Sequence, residues 1–222
     1  VTPAVPDSSP LTVRPPLQRR TREAWNRVLD AGLALLEEGG YEAFTIAAVC
    51  DRAGIAPRAV YDRVDTKDAL FLAVYEHGIA RVRADHAVFM DRQHWNEFAG
   101  TALAREAVVQ MAAVFDRHAA FLRSVVLISG VHPEIYRRGA AYSRELGRLV
   151  STVLLTDREH IDQPDPDLAV RAAFNTAFST LVLRVAYGPE FATSISDDRL
   201  FSDTLVAMVQ RYLFQEGEAS PQ

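Results

Sequence analysis

Between Thr45 and Leu70 the chain reads TIAAVCDRAGIAPRAVYDRVDTKDAL, an order of residues that few folds accommodate. Ile46, Val49, Cys50 and Ala53 recur at helical spacing, which gives a short helix one buried face. Thr45 precedes it, with a hydroxyl able to accept from an amide that has no partner inside the helix. Gly54 supplies the backbone freedom that stops this helix and turns the chain. Pro57 opens a second helix, where its missing N–H costs nothing and its fixed φ suits the first turn. Val60 and Val64, four apart, face one core and leave Arg58, Tyr61 and Arg63 on other faces. A third helix starts near Thr66, with the chain's only lysine, Lys67, in its first turn. Two short helices joined by a tight turn form a helix-turn-helix, whose natural partner is duplex DNA.

A net charge of −5 looks wrong for such a partner until the charges are located. Arg14, Arg19, Arg20, Arg22 and Arg27 face only Glu23 in their stretch, a local excess of four positive charges. The acidic residues gather elsewhere, between Asp157 and Asp167 and around Asp197, Asp198 and Asp203. Salt screens charges beyond ~8–10 Å, so a basic arm on an acidic body can still attract phosphate. By itself the arginine run reads equally well as a solvated helix entrance.

The rest of the chain predicts an all-α fold. Residues 1–17 hold five prolines among small polar residues and are expected to be a disordered arm. Thr21 is expected to cap a first helix with Trp25, Val28, Gly32, Leu35 and Leu36 on one stripe, stopped by Gly39 and Gly40. The helix from Thr66 carries Phe71, Val74, Tyr75, Ile79 and Val82 to about His86. Further helices are expected over Asn96–His118, Ala119–Ser129, Pro133–Thr156, Pro166–Tyr187 and Asp197–Gln215, with Pro, Gly and short polar residues at the breaks. The domain expectation is an arm at 1–17, a helix-turn-helix domain at 18–65, and a helical ligand-binding and dimerisation domain at 66–222. The Pro166–Tyr187 segment is apolar on two faces, so one face suits its own core and the other a partner chain. Burial of both faces inside a monomer is the alternative.

Thr-x-x-x-Val-x-x-x-Ala-Gly-Ile, a short helix ending in Tyr61, and Thr-Lys-Asp-x-Leu together resemble the DNA-binding module of TetR-family transcriptional regulators. The resemblance runs from near Thr21 to about Tyr75, roughly a quarter of the chain. Two positions depart from the family pattern: Ala56 stands where a Ser or Thr cap is usual, and Val64 where an aromatic is usual. A missing cap costs ~1 kcal/mol. The resemblance implies a homodimer paired through the last two helices, binding a near-palindromic duplex operator. It also implies a ligand-responsive regulator, most often a repressor, released by a small apolar or amphipathic effector.

DNA recognition divides into phosphate contacts that position and base-edge contacts that specify. Arg58, at the start of the second short helix, can pair with guanine through two hydrogen bonds, worth ~1–3 kcal/mol of discrimination. Pro57 and Ala59 offer apolar contact beside it, and Arg20 and Arg22 belong to the basic arm. By resemblance, Thr45, Tyr61 and Lys67 hold phosphates. Lys67 at a helix N-terminus is unfavourable unless an anion joins it, which itself points to phosphate.

In the C-terminal part, Trp95, Phe98, Met111, Phe115, Tyr142, Asn175 and Phe178 are the candidate ligand contacts, with plain core packing as the alternative reading. Catalysis finds little support: there is no Gly-rich phosphate loop, G-x-S-x-G or H-E-x-x-H motif. Neither a cofactor nor a metal is expected, since the six histidines are scattered and Cys50 is alone. An all-α enzyme or metal-binding bundle without specific DNA binding is the competing reading. A single cysteine, no apolar run near ~18 residues and no signal-like start lead to a cytoplasmic protein with no membrane partner.

Overall fold

The computed structural model describes residues 19–191 and 197–214; the expected 1–17 arm lies outside them. Among the described residues every regular element is helical, and the chain divides into two compact units that meet in sequence at Arg81 and Val82.

The first unit contains α1 (Arg19–Ala43), α2 (Ile46–Ala53), α3 (Pro57–Tyr61) and most of α4 (Lys67–Asp85). Helix α1 starts at Arg19, so Thr21 lies inside the first turn instead of capping it. The glycine pair does interrupt α1: Gly40 takes φ 64°, ψ −162°, a region open essentially to glycine alone. One more turn brings Tyr41 and Phe44 under α4, where each packs edge-on against Phe71. Val28, Leu36, Phe44, Val49, Val60, Val64, Leu70 and Val74 are all sealed from solvent, which makes this unit's core. Val64 is wholly buried despite being smaller than the aromatic usual there.

The second unit holds the end of α4 and 3-10 turns at His86–Met90 and Leu155–His160. Its other helices are α5 (Arg92–Trp95), α6 (Gly100–Arg117), α7 (Ala119–Ser129), α8 (Pro133–Leu154), α9 (Pro166–Tyr187) and α10 (Asp198–Leu213). The helix expected from Asn96 instead starts at Gly100, because Ala99 is extended and Gly100 has φ 52°, and the short α5 precedes that expected start. The Asp157 carboxylate accepts the Gly100 amide and fixes this new start of α6.

Helix α9 packs against α6, α7, α8 and α10. Its inner face buries Val170, Ala173, Ala177 and Leu181, while Leu168, Asn175, Ser179 and Leu183 on the outer face remain exposed. Its length and a mean hydropathy of 1.2 over its best window would allow a membrane span, but polar residues leave it without an unbroken apolar run of ~18 residues. Four helices pack on it, and Arg171, Asn175 and Arg184 interrupt it, which suits a core helix better than a lipid-facing one.

Candidate nucleic-acid interface

The turn between α2 and α3 is built by local hydrogen bonds. Thr45 Oγ1 accepts from the Ala48 amide at 3.1 Å and caps α2. At the other end Gly54 sits in the left-handed region (φ 62°, ψ 40°), donating to Asp51 O while the Ile55 amide donates to Cys50 O. Helix α3 follows from Pro57, and Ala56 gives it no side-chain cap. Thr66 Oγ1 accepts from the Ala69 amide at 3.1 Å and so starts α4.

Val60 anchors α3 inward, which leaves Pro57, Arg58, Ala59 and Tyr61 all exposed on its outer side. Among the described residues, no carboxylate pairs with the Arg58 guanidinium, Asp62 included. Thr45 is exposed at the start of α2; its oxygen is engaged, but its O–H can still donate. Tyr61 is half exposed and is no core aromatic. Arg22 is exposed on α1, whereas the Arg20 side chain lies outside the described side chains.

Lys67 is only partly exposed. Its Nζ donates to Tyr41 O at 3.1 Å and stands 3.9 Å from the centroid of the Tyr41 ring. The Tyr41 hydroxyl donates to Asp68 Oδ1 at 2.8 Å. Burial, then the Asp68 carboxylate, push the Tyr41 phenol up to about 12, so it stays protonated and remains a donor. Nothing local in the sequence ties Tyr41 to Lys67, because 26 residues separate them.

The seven candidate ligand contacts fall in three places. Tyr142, His86, Phe89, Trp95 and Phe98 form a chain of ring contacts with centroids 5.2–6.3 Å apart. Phe115 meets Phe178 edge-on at 5.5 Å, and Met111 is buried on the same helix as Phe115. Asn175 is exposed on the outer side of α9. None of the seven lines the groove of about 720 Å³ between α9 and α10, which Thr176, Arg184, Phe201, Leu205 and Met208 help to form. His86, absent from the sequence-derived set, is buried and shares a hydrogen bond with the Tyr142 hydroxyl, while its Nε2 has no partner among the described residues. Burial, reinforced by His118 nearby, pushes its imidazole down to about 4. No group of His, Cys, Asp and Glu suited to a metal occurs among the described residues.

A capped helix, a left-handed glycine turn and a short second helix with an unpaired arginine facing outward define a helix-turn-helix DNA-binding protein. The family model for bacterial regulatory proteins of the tetR family matches residues 28–74, the segment that holds this geometry. That match and this geometry together identify residues 28–74 as a tetR-type DNA-binding helix-turn-helix. No curated protein matches it.

Solved structures share the fold at low identity. A TetR-family transcriptional regulator from Mesorhizobium loti is 17% identical, with a TM-score of 0.63, over 88% of this chain and 97% of that one. A tetR-family regulatory protein from Rhodococcus RHA1 is 19% identical, with a TM-score of 0.63, over 86% and 97%. NalD of Pseudomonas aeruginosa, the secondary repressor of the MexAB-OprM multidrug efflux pump, is 18% identical, with a TM-score of 0.61, over 88% and 99%.

Proposed function

We propose that this protein is a transcriptional repressor that binds a near-palindromic operator as a homodimer joined through α9 and α10, and leaves it when a small apolar or amphipathic effector binds. The observation that carries this reading is the exposed apolar surface of the last two helices. Leu168, Leu183 and Tyr187 on α9, with Leu200, Met208 and Tyr212 on α10, are each 42–58% exposed. So many large apolar side chains on two adjoining helices favour a covered surface, and a second copy offers the same surface in return. Two identical heads then read two half-sites about one helical turn (~34 Å) or a multiple apart.

In this reading Arg58 addresses base edges, with Pro57 and Ala59 against a thymine methyl. Thr45, Tyr61, Lys67, Arg22 and Arg20 hold phosphates. The interior of the second unit is almost wholly apolar and includes a chain of rings from Tyr142 to Phe98, which suits an apolar or amphipathic effector. Trp95, Phe98 and Tyr142 are its proposed contacts; Met111, Phe115 and Phe178 lie apart from them, and Asn175 faces outward on α9. NalD, a repressor with the same fold, supports repression as the mode of action.

Selection of bound duplexes from random pools tests the proposal. Enrichment of a two-fold symmetric sequence is the expected result, and enrichment of one isolated half-site or of nothing overturns it. Arg58→Ala should relax base preference, while Lys67→Ala should weaken binding to all sequences and lower the salt slope. For the effector, a compound held at 100 times its Kd adds about 2.7 kcal/mol of stability, which thermal shift detects.

A further inference from the structure

Lys67 occupies an awkward position. It stands in the first turn of α4, where the helix dipole is positive, and Asp68 follows it directly. A free carboxylate so close would capture the ammonium and cancel its attraction for phosphate. Yet among the described residues no carboxylate pairs with Lys67; its partners are the Tyr41 carbonyl and the Tyr41 ring face. Asp68 has been drawn off by the hydroxyl at the far end of that same ring. A single residue therefore touches both charges and keeps them apart.

We infer that Tyr41 is a positioning residue for DNA binding: its hydroxyl ties up the Asp68 carboxylate while its carbonyl and ring hold the Lys67 ammonium ready for a backbone phosphate. The inference rests on the proposed Lys67–phosphate contact. One lone-pair bond and one ring face leave the ammonium with further N–H donors for a phosphate oxygen. The π face attracts the cation without neutralising it, so the positive charge stays available. The ring is itself fixed, edge-on to Phe71 at 4.8 Å and stacked with Phe44 at 6.4 Å. Its phenol does not ionise at working pH, so the hydroxyl keeps its proton to donate to Asp68.

The test is a double-mutant cycle between positions 41 and 68, read as the salt dependence of binding to a mixed-sequence duplex, with the full-length protein. Tyr41→Phe keeps the ring, its packing and its carbonyl, and loses only the hydroxyl. Circular dichroism matched to the parent checks that each variant is folded. Lys67→Ala should reduce the magnitude of the salt slope by about 0.9, the loss of one phosphate contact. Tyr41→Phe should produce a similar reduction, because the released Asp68 carboxylate takes the ammonium. In the Asp68→Asn background Tyr41→Phe should change neither slope nor affinity. A parental slope for Tyr41→Phe, beside a lowered one for Lys67→Ala, overturns the inference and leaves the Lys67 contact standing. An equal loss for Tyr41→Phe with and without Asp68→Asn overturns it too, since a purely structural role gives that pattern. An unchanged slope for Lys67→Ala removes the phosphate contact itself, and the inference with it.

Discussion

Val74 on α4 lies directly over the bare backbone of Gly32 on α1: a Cβ at Gly32 would stand 2.6 Å from Val74 Cγ2 and 3.0 Å from Phe44 Cε2. The two helices approach closely at that point because the position has no side chain, and α2 in turn packs on α1. Gly32→Ala should gain about 1 kcal/mol in helix propensity and lose about 1–3 kcal/mol to overpacking. The net is a destabilised first unit, seen as faster amide exchange in α1 and α4 with exchange in α6–α10 unchanged. Unaltered protection in α1 would show that Val74 can move aside.

Ala56 already has the extended backbone of a helix cap (φ −61°, ψ 137°) but no side chain to act as one. Ala56→Ser should therefore stabilise the chain by about 0.5–1 kcal/mol, and Thr45→Ala, which removes a cap in use, should cost about 1 kcal/mol. Chemical denaturation of the two variants measures both; a neutral or destabilising Ala56→Ser would mean the serine hydroxyl does not reach the amide.

His86 makes stability depend on pH in a definite direction. Its folded value of about 4 lies below the usual 6.5, so on acidification the unfolded chain takes up the proton first. The stabilisation is complete above about 6.5 and is lost as pH falls toward about 4, by about 3 kcal/mol in all. His160, raised by Asp157, acts in the opposite sense, but it is fully exposed and solvent screens it. Asp85, held low by His118 and Arg117, adds its own loss only at more acidic pH. Urea midpoints measured between pH 7 and pH 4 should fall steadily, and should fall less in His86→Phe. Parallel profiles for the two proteins would remove His86 as the cause.

Met208, 58% exposed on α10, borders the α9–α10 groove. In the proposed dimer a carboxylate there would bring an unpaired charge into an apolar interface. Met208→Asp should shift the protein from dimer to monomer in sedimentation and lower operator affinity, while its helicity is retained. A dimer as stable as the parent would place the interface elsewhere.

The parts of this protein that its sequence revealed are those set by neighbours in the chain. Thr45, Gly54 and Pro57 mark helix ends through bonds that span three or four residues, so the helix-turn-helix was legible without a structure. The bounds of α7 and α9 were legible for the same reason, since Pro, Gly and polar residues punctuate them. The break before α6 was not, because the carboxylate that fixes it, Asp157, lies 57 residues away. Nor did aromatic composition indicate how Trp95, Phe98, Met111, Phe115, Tyr142 and Phe178 divide between two ring groups.

What the sequence by itself determined is the local grammar of the head: where each helix starts, where the chain turns, and which side of α3 carries Arg58. Capping, glycine's left-handed backbone and helical periodicity act over a few residues, and so can be read in order. Only tertiary structure decided that Tyr41 stands between Lys67 and Asp68, that His86 is sealed beside Tyr142, and that α9 and α10 leave an open apolar groove. Those relationships join residues far apart in the chain, and packing geometry alone fixes the distances at which charges, rings and orphaned donors meet.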